Sequence, residues 1–77
     1  MAYPVPPDPA LGQALKRLRQ ERKLTQEQVS HAAELTLGAY GRIERSEVAP
    51  AWTTVRAIAR ALEIDMQALG KAVDAEG

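Results

Sequence analysis

The chain has 77 residues, with ten basic and ten acidic side chains and no cysteine. This length predicts one small domain without room for a separate catalytic or ligand-sensing unit, and the lack of cysteine excludes disulfides and thiolate metal sites. The net charge of zero argues against a protein that coats nucleic acid by electrostatic attraction alone. The charge is nevertheless uneven, because residues 1–45 carry +2 and residues 46–77 carry −2.

The N-terminal segment, residues 1–9, contains four of the five prolines of the chain and predicts an extended arm. It lacks the basic region and the apolar stretch of a signal peptide. No apolar run approaches the roughly 20 residues that a membrane span needs. We therefore expect a cytoplasmic protein that neither enters nor contacts a membrane.

The first helix is expected to begin at Asp8 and Pro9, a pair typical of an N-cap and first helical position. Leu11, Leu15 and Leu18 then recur at spacings of four and three residues, which predicts an amphipathic helix to about Arg22.

Three later helix starts share one pattern, in which an apolar residue precedes the cap and packs on another apolar residue within the helix. The second, third and fifth helices are expected to begin at the caps Thr25, Thr36 and Asp65, with the apolar pairs Leu24 and Val29, Leu35 and Tyr40, and Ile64 and Leu69. Another apolar stripe predicts a fourth helix over residues 51–62. No segment shows strand alternation, so the chain is predicted to be all-α, with a domain over residues 10–73 and a tail at 74–77.

The second and third helices are separated by a very short connection. Only Glu34 and Leu35 precede the next cap, so the third helix must turn sharply across the second. The positions between the two helices carry apolar or small residues: Val29, Ala32, Ala33, Leu35, Tyr40 and Ile43. This arrangement is typical of a helix-turn-helix.

Residues from Leu11 to about Val73 resemble the Cro and phage-repressor type of helix-turn-helix family, also called the xenobiotic-response-element family. The matching pieces are Leu18-Arg19, Leu24 to Val29, Leu35-Thr36, Arg42 to Arg45, Pro50, Ala59 to Leu62, Asp65 and Leu69. The resemblance implies a five-helix, lambda-repressor-like fold. It also implies a sequence-specific regulator of transcription that binds double-stranded DNA, works as a small dimeric repressor or autoregulator, and needs no cofactor.

The resemblance places the helix of residues 36–44 in the major groove, where base edges can be read. Arg42 is the strongest candidate for base contact, because a guanidinium can form two hydrogen bonds with guanine, and Leu37 could touch a thymine methyl group. Gln26 is the preferred phosphate contact, at the start of the second helix. The full expected DNA-binding set is Thr25, Gln26, Thr36, Leu37, Gly38, Ala39, Arg42 and Arg45.

Other residues are assigned structural or interface roles. The resemblance implies an ion pair between Arg19 and Glu44. Relatives commonly dimerise through the last helix, so the expected homodimer interface comprises Trp52, Met66, Leu69 and Val73. For Trp52 a core position is the simpler interpretation.

The sequence departs from the family pattern at turn positions where relatives often have glycine. These are Lys23, Glu34 and Ser46, and we expect two of them to adopt left-handed backbone conformations. The third helix also carries two glycines and no amide side chain that could read adenine. A protein-interaction module, docking through residues 37–40, is therefore an alternative to DNA reading.

Catalysis is not expected. The candidate residues are Ser30 and His31, but adjacent helical residues point in different directions and cannot form a relay. We predict no enzyme activity and no metal site.

Overall fold

The computed structural model describes residues 6–77, and within that range the chain forms five α-helices and no β-strand. The helices are α1 (Pro9–Glu21), α2 (Gln26–Ala32), α3 (Leu37–Glu44), α4 (Trp52–Ala61) and α5 (Met66–Glu76). The expected all-α, five-helix architecture is confirmed. Most of the N-terminal arm, residues 1–5, lies outside the described residues. No helix of the part that the structure describes is long and apolar enough to cross a membrane.

The helix starts follow local side-chain chemistry. Asp8 accepts a hydrogen bond from the backbone N–H of Ala10, and Thr25 and Gln28 form a reciprocal capping box. Thr36 and Asp65 cap α3 and α5 by accepting hydrogen bonds from the backbone N–H groups of residues 39 and 68. The four predicted caps are therefore confirmed. Helix α4 has no side-chain cap.

The first four helices all end with the same two backbone hydrogen bonds, the Schellman arrangement, in which one residue takes a left-handed conformation. None of these four residues is glycine: Lys23, Glu34, Ser46 and Glu63 have φ angles of 57° to 60°. We expected two left-handed residues among Lys23, Glu34 and Ser46, but all three are left-handed, and Glu63 is a fourth. The residues that follow, Leu24, Leu35 and Ile64, pack on the core and also precede the next caps, so burial of these side chains favours the strained turns.

The core lies where α1 packs on α3 and α5, and α2 packs on α3 and α4. Its largest fully buried side chains are Tyr40, Leu15, Ile58, Leu62 and Val29. Trp52 does not belong to it, since 64% of its surface is exposed. The core interpretation of Trp52 is therefore wrong. Trp52 occupies the first position of α4, outside the buried face formed by Val55, Ile58 and Leu62.

Helix α5 extends beyond the expected domain boundary at residue 73. The carboxylate of Glu76 accepts a hydrogen bond of 2.7 Å from Nε of Arg17 on α1. Arg17 also donates to the carbonyl oxygen of Ala72, at 3.3 Å. Residues 74–76 are thus part of the helical domain rather than a separate tail, because this contact joins the end of α5 to α1.

Helix α1 meets the C-terminal end of α3 at Gly12. A Cβ atom placed on Gly12 would lie 2.6 Å from the carbonyl oxygen of Glu44 and 2.9 Å from that of Ile43. Real Cβ atoms do not approach backbone oxygens this closely. The absence of a side chain at this position therefore sets the distance between the two helices and the place of α3.

Candidate nucleic-acid interface

The exposed surface of α3 begins at its cap. The hydroxyl of Thr36 accepts a hydrogen bond of 3.1 Å from the backbone N–H of Ala39. Leu37 is 50% exposed, and Gly38 and Arg42 are exposed as well. Because Gly38 and Arg42 are four residues apart, they share one face of the helix. The structure therefore brings most of the expected base-contacting residues together on the outer side of α3, with Ala39 partly buried beside them.

The inner side of α3 is fixed by the ion pair that the resemblance implied. Nε and Nη2 of Arg19 donate to the two carboxylate oxygens of Glu44, at 2.7 and 3.1 Å. Nη1 of Arg19 donates to the carbonyl oxygen of Leu24, at 2.9 Å. The exposed fractions of the two paired side chains are only 12% and 3%. This bidentate pair joins α1, the turn before α2, and the end of α3.

Gln26, the expected phosphate contact, is attached to the same carboxylate. Its amide nitrogen donates to Oε1 of Glu44 at 3.0 Å, and its side chain is half-buried. One of its two amide hydrogens is thus used inside the protein, which leaves the second for another acceptor. Sequence reasoning did not find this contact, because it joins residues 18 positions apart on different helices.

The charged state of Glu44 is stabilised by its partners. Burial alone would raise the pKa of this carboxyl group, but the hydrogen bonds from Arg19 and neighbouring groups outweigh burial and lower the pKa. Tyr40 lies beside the pair, and burial, followed by the adjacent carboxylate, raises the pKa of its hydroxyl. That hydroxyl has no hydrogen bond of good geometry within residues 6–77.

Arg45, another expected DNA contact, is paired at the C-terminal end of α3. Its Nε donates to the carboxylate of Glu47 at 2.6 Å, and both side chains are more than half exposed. A Cβ atom on Gly41 would lie 2.9 Å from Nη1 of Arg45 and 3.8 Å from Oε1 of Gln26. The guanidinium therefore lies across Gly41 towards Gln26. Arg42, in contrast, makes no ion pair within the described range.

A second surface feature is an apolar groove of about 380 Å³. It is lined by Asp8, Leu11, Trp52, Val55, Met66, Leu69, Gly70, Val73 and Asp74. Three of the expected interface residues, Trp52, Met66 and Val73, retain exposed or partly exposed surface here. Leu69 does not, because it is 2% exposed and belongs to the core of the domain. Its expected role as an interface contact is therefore corrected to a core role.

Ser30 and His31 do not form a catalytic pair. Ser30 is buried and its hydroxyl donates to the carbonyl oxygen of Glu27 at 3.0 Å, while His31 is exposed on the following position. The hydroxyl thus bonds its own helix backbone and does not face an imidazole.

Known proteins have the same fold. Among solved structures, the wild-type restriction-modification controller protein C.Esp1396I matches with a TM-score of 0.84, 20% identity and 88% coverage of both chains. Its tetramer in complex with a natural 35-base-pair operator matches with a TM-score of 0.84, covering 88% of this chain and 90% of that one. The clp gene regulator ClgR from C. glutamicum matches with a TM-score of 0.83 and 19% identity, covering 95% and 94%.

Sequence comparisons point to the same family. The chain is 41% identical over 59 residues to the immunity repressor protein of Bacillus phage phi105, a match that covers 77% of this chain. The chain spans only 41% of the length of that repressor. A family model described as a helix-turn-helix domain matches residues 10–70. The sequence match agrees with the short connection between α2 and α3 in the structure, and the chain belongs to the helix-turn-helix domain family.

Proposed function

We propose that the protein is a sequence-specific regulator of transcription that binds double-stranded DNA and reads the major groove with α3. The observation that carries this proposal is the surface of α3, where Leu37, Gly38 and Arg42 are exposed together on a helix whose inner side is locked by a buried ion pair. A rigid helix with one unpaired arginine on its outer face suits the width of the major groove.

The surrounding residues support contacts with the DNA backbone. Gln26 stands at the positive end of α2, where a phosphate oxygen could accept its second amide hydrogen. Arg45 lies beside it and is held only by an exposed carboxylate. The relatives support the same activity, since one is a phage repressor and another is solved with its operator. We favour repression or autoregulation on the basis of that repressor.

We also propose that the regulator binds DNA as a homodimer joined through the apolar groove. Trp52 is 64% exposed at the edge of this groove, and a large exposed aromatic side chain is a typical interface anchor. A twofold dimer would place two copies of α3 on successive major grooves of a near-palindromic site. The activity requires the compartment that contains DNA, and we propose the cytoplasm.

Replacement of Trp52 by alanine is expected to weaken the dimer by at least tenfold. Truncation of an aromatic anchor that is buried in an interface commonly costs ~2 kcal/mol or more of binding free energy. Sedimentation equilibrium measures the change in the dimerisation constant. The matched control is Val48→Ala, which removes another exposed apolar side chain away from the groove. A tryptophan variant that dimerises as well as the wild type would contradict this interface.

Arg42→Ala tests the DNA-reading proposal. Purified protein is incubated with a pool of random duplexes at two salt concentrations, and the bound sequences are recovered. We expect one near-palindromic site to be enriched by the wild type, and the variant to bind it at least tenfold more weakly, because a bidentate guanine contact contributes ~1–3 kcal/mol.

The control for Arg42→Ala is Lys71→Ala, which removes one exposed positive charge from α5. Equal losses in both variants would show a general electrostatic effect rather than base reading. If no site is enriched and Arg42→Ala binds as the wild type does, the proposal fails.

Replacement of Glu47 by glutamine is expected to strengthen DNA binding. The change releases Arg45 from its 2.6 Å ion pair and removes a negative charge next to the expected phosphate positions. Each additional phosphate contact steepens the dependence of log affinity on log salt by about 0.9, so one new contact in each subunit of the dimer steepens it by about 1.8. Titrations at several salt concentrations measure this slope, with Glu63→Gln as the matched control at the end of α4. An unchanged slope would show that release of Arg45 from Glu47 adds no phosphate contact.

One observation favours a second function, the docking of a partner protein on α3. Leu37 is a large apolar side chain that is half exposed. The surface for such docking is smaller than residues 37–40 suggested, because Tyr40 is fully buried. A partner protein bound with little dependence on salt, together with no enriched DNA site, would support this function instead.

A further inference from the structure

Helix α5 contains a glycine that the packing of the chain does not require. Gly70 is the fifth of the eleven residues of α5, and glycine inside a helix weakens it relative to alanine. A Cβ atom added to Gly70 would meet nothing within 4 Å, whereas the same atom on Gly12 would lie 2.6 Å from a backbone oxygen of α3. Contacts within the chain therefore explain the missing side chain at residue 12 but not at residue 70.

Gly70 is an exposed part of the apolar groove, which it lines together with Val55 and Val73. Met66 and Asp74 lie one helical turn before and one turn after it, and both also line the groove. Because these two positions carry side chains and residue 70 carries none, α5 has a notch between them. The notch exposes the helix backbone to a group that comes from outside the chain.

The same side of the chain carries a side chain that suits such a notch. Trp52 lies at the edge of the groove and is 64% exposed. Its indole is flat and offers a large apolar surface, which packs well on an uncovered helix backbone. Because Trp52 and Gly70 belong to one surface, a twofold axis beside the groove can bring Trp52 of each copy to Gly70 of the other.

The charges around the groove favour a second copy of the chain as its occupant. Asp8 and Asp74 line the groove and make its edge acidic. Arg56 follows Trp52 by one turn on the exposed side of α4. Neither Arg56 nor Asp74 makes an ion pair within residues 6–77. A copy that inserts Trp52 into the groove of another therefore brings a positive charge towards an acidic edge.

We infer that Gly70 receives Trp52 of a second copy, whose indole packs on the backbone of α5, and that this contact occurs twice in the dimer. The inference rests on the proposed homodimer and adds to it the residue on which Trp52 packs. It assigns Gly70 to assembly rather than to folding. A side chain at residue 70 is therefore expected to stabilise the monomer and to obstruct the dimer.

Gly70→Ala and Gly70→Gln test this assignment, because alanine and glutamine are both better helix formers than glycine. At a concentration where the wild type is monomeric, Gly70→Ala is expected to raise the melting temperature by about 2–8 °C. In sedimentation equilibrium, Gly70→Gln is expected to weaken the dimer about tenfold, because its side chain fills the notch and displaces the indole. The control Gly38→Ala also improves a helix at an open position, but it lies on α3 and leaves dimerisation unchanged.

Combining Gly70→Gln with Trp52→Ala tests the contact itself. In the Trp52→Ala background, Gly70→Gln is expected to change dimerisation by less than about twofold, because no indole remains to be displaced. An equal loss with and without Trp52 would overturn the contact, as would a lower melting temperature of monomeric Gly70→Ala. If Trp52→Ala weakens the dimer but Gly70→Gln does not, the contact at Gly70 is overturned and the dimer through the groove stands. If the wild type is monomeric at all concentrations, the proposed homodimer fails as well.

Discussion

Replacement of Glu44 by alanine is expected to lower the free energy of unfolding by about 3–5 kcal/mol, because it leaves the buried guanidinium of Arg19 without its partner. The amide of Gln26 also loses its acceptor. Small domains have total stabilities of about 5–15 kcal/mol, so this single change removes a large share. Urea denaturation followed by circular dichroism measures the difference.

The control for Glu44→Ala is a double variant, Arg19→Met with Glu44→Leu, that removes both charges and keeps most of the side-chain volume. It is expected to recover most of the lost stability, because apolar side chains can replace a buried ion pair at little cost. A loss below about 1 kcal/mol in Glu44→Ala would contradict the structural role of the pair.

Because of the same ion pair, we expect the free energy of unfolding to depend on pH. The pKa of Glu44 in the folded protein lies below its ordinary value of 4.5, since the bonds from Arg19 and its neighbours outweigh burial. The contribution of the pair is therefore complete above about pH 4.5 and is lost as the pH falls through the lower folded-state value. Stability of the Glu44→Ala variant is expected to vary less across this acidic range.

Gly12→Ala is expected to lower the free energy of unfolding by about 2–3 kcal/mol, although alanine is the better helix former. The added Cβ would lie 2.6 Å from the carbonyl oxygen of Glu44, an atom of the backbone that cannot rotate away. Helices α1 and α3 must separate to admit it, which displaces α3 as well. Thermal denaturation measures the first effect, and DNA titration measures the second.

The matched control is Gly38→Ala, in a helix where the new Cβ meets nothing within 4 Å. Only the difference in helix propensity between glycine and alanine then affects stability, and we expect the free energy of unfolding to rise by about 0.5–1 kcal/mol. Opposite signs for the two glycines would establish close packing at residue 12. A gain in both variants would show that the contact between α1 and α3 relaxes easily.

Local features of the fold were predictable from the sequence. The caps at Thr25, Thr36 and Asp65 depend on contacts with residues only three positions away, so the sequence contains the whole interaction. The exposure of Trp52 was not predictable, because it depends on how the other helices pack against the first turn of α4. Periodicity placed Trp52 within the apolar stripe of α4, whereas the buried part of this stripe begins at Val55.

Some contacts of the candidate site were likewise predictable from the sequence, and others were not. The resemblance supplied the pair of Arg19 and Glu44, but neither motif nor spacing revealed that Gln26 shares this carboxylate. The structure also pairs Glu47 with Arg45. The close approach at Gly12 had one available signal. Gly12 lies seven residues before Arg19, two helical turns away, on the face that meets α3.

The four left-handed helix ends affect how related chains can be found. A search pattern that requires glycine at these turns would reject this sequence, although its backbone makes each of the turns with lysine, glutamate or serine. The apolar residues that follow three of these turns, Leu24, Leu35 and Ile64, are more informative markers, since all three are packed against the core. Distant relatives are therefore better recognised by the register of these apolar side chains than by the composition of the turns.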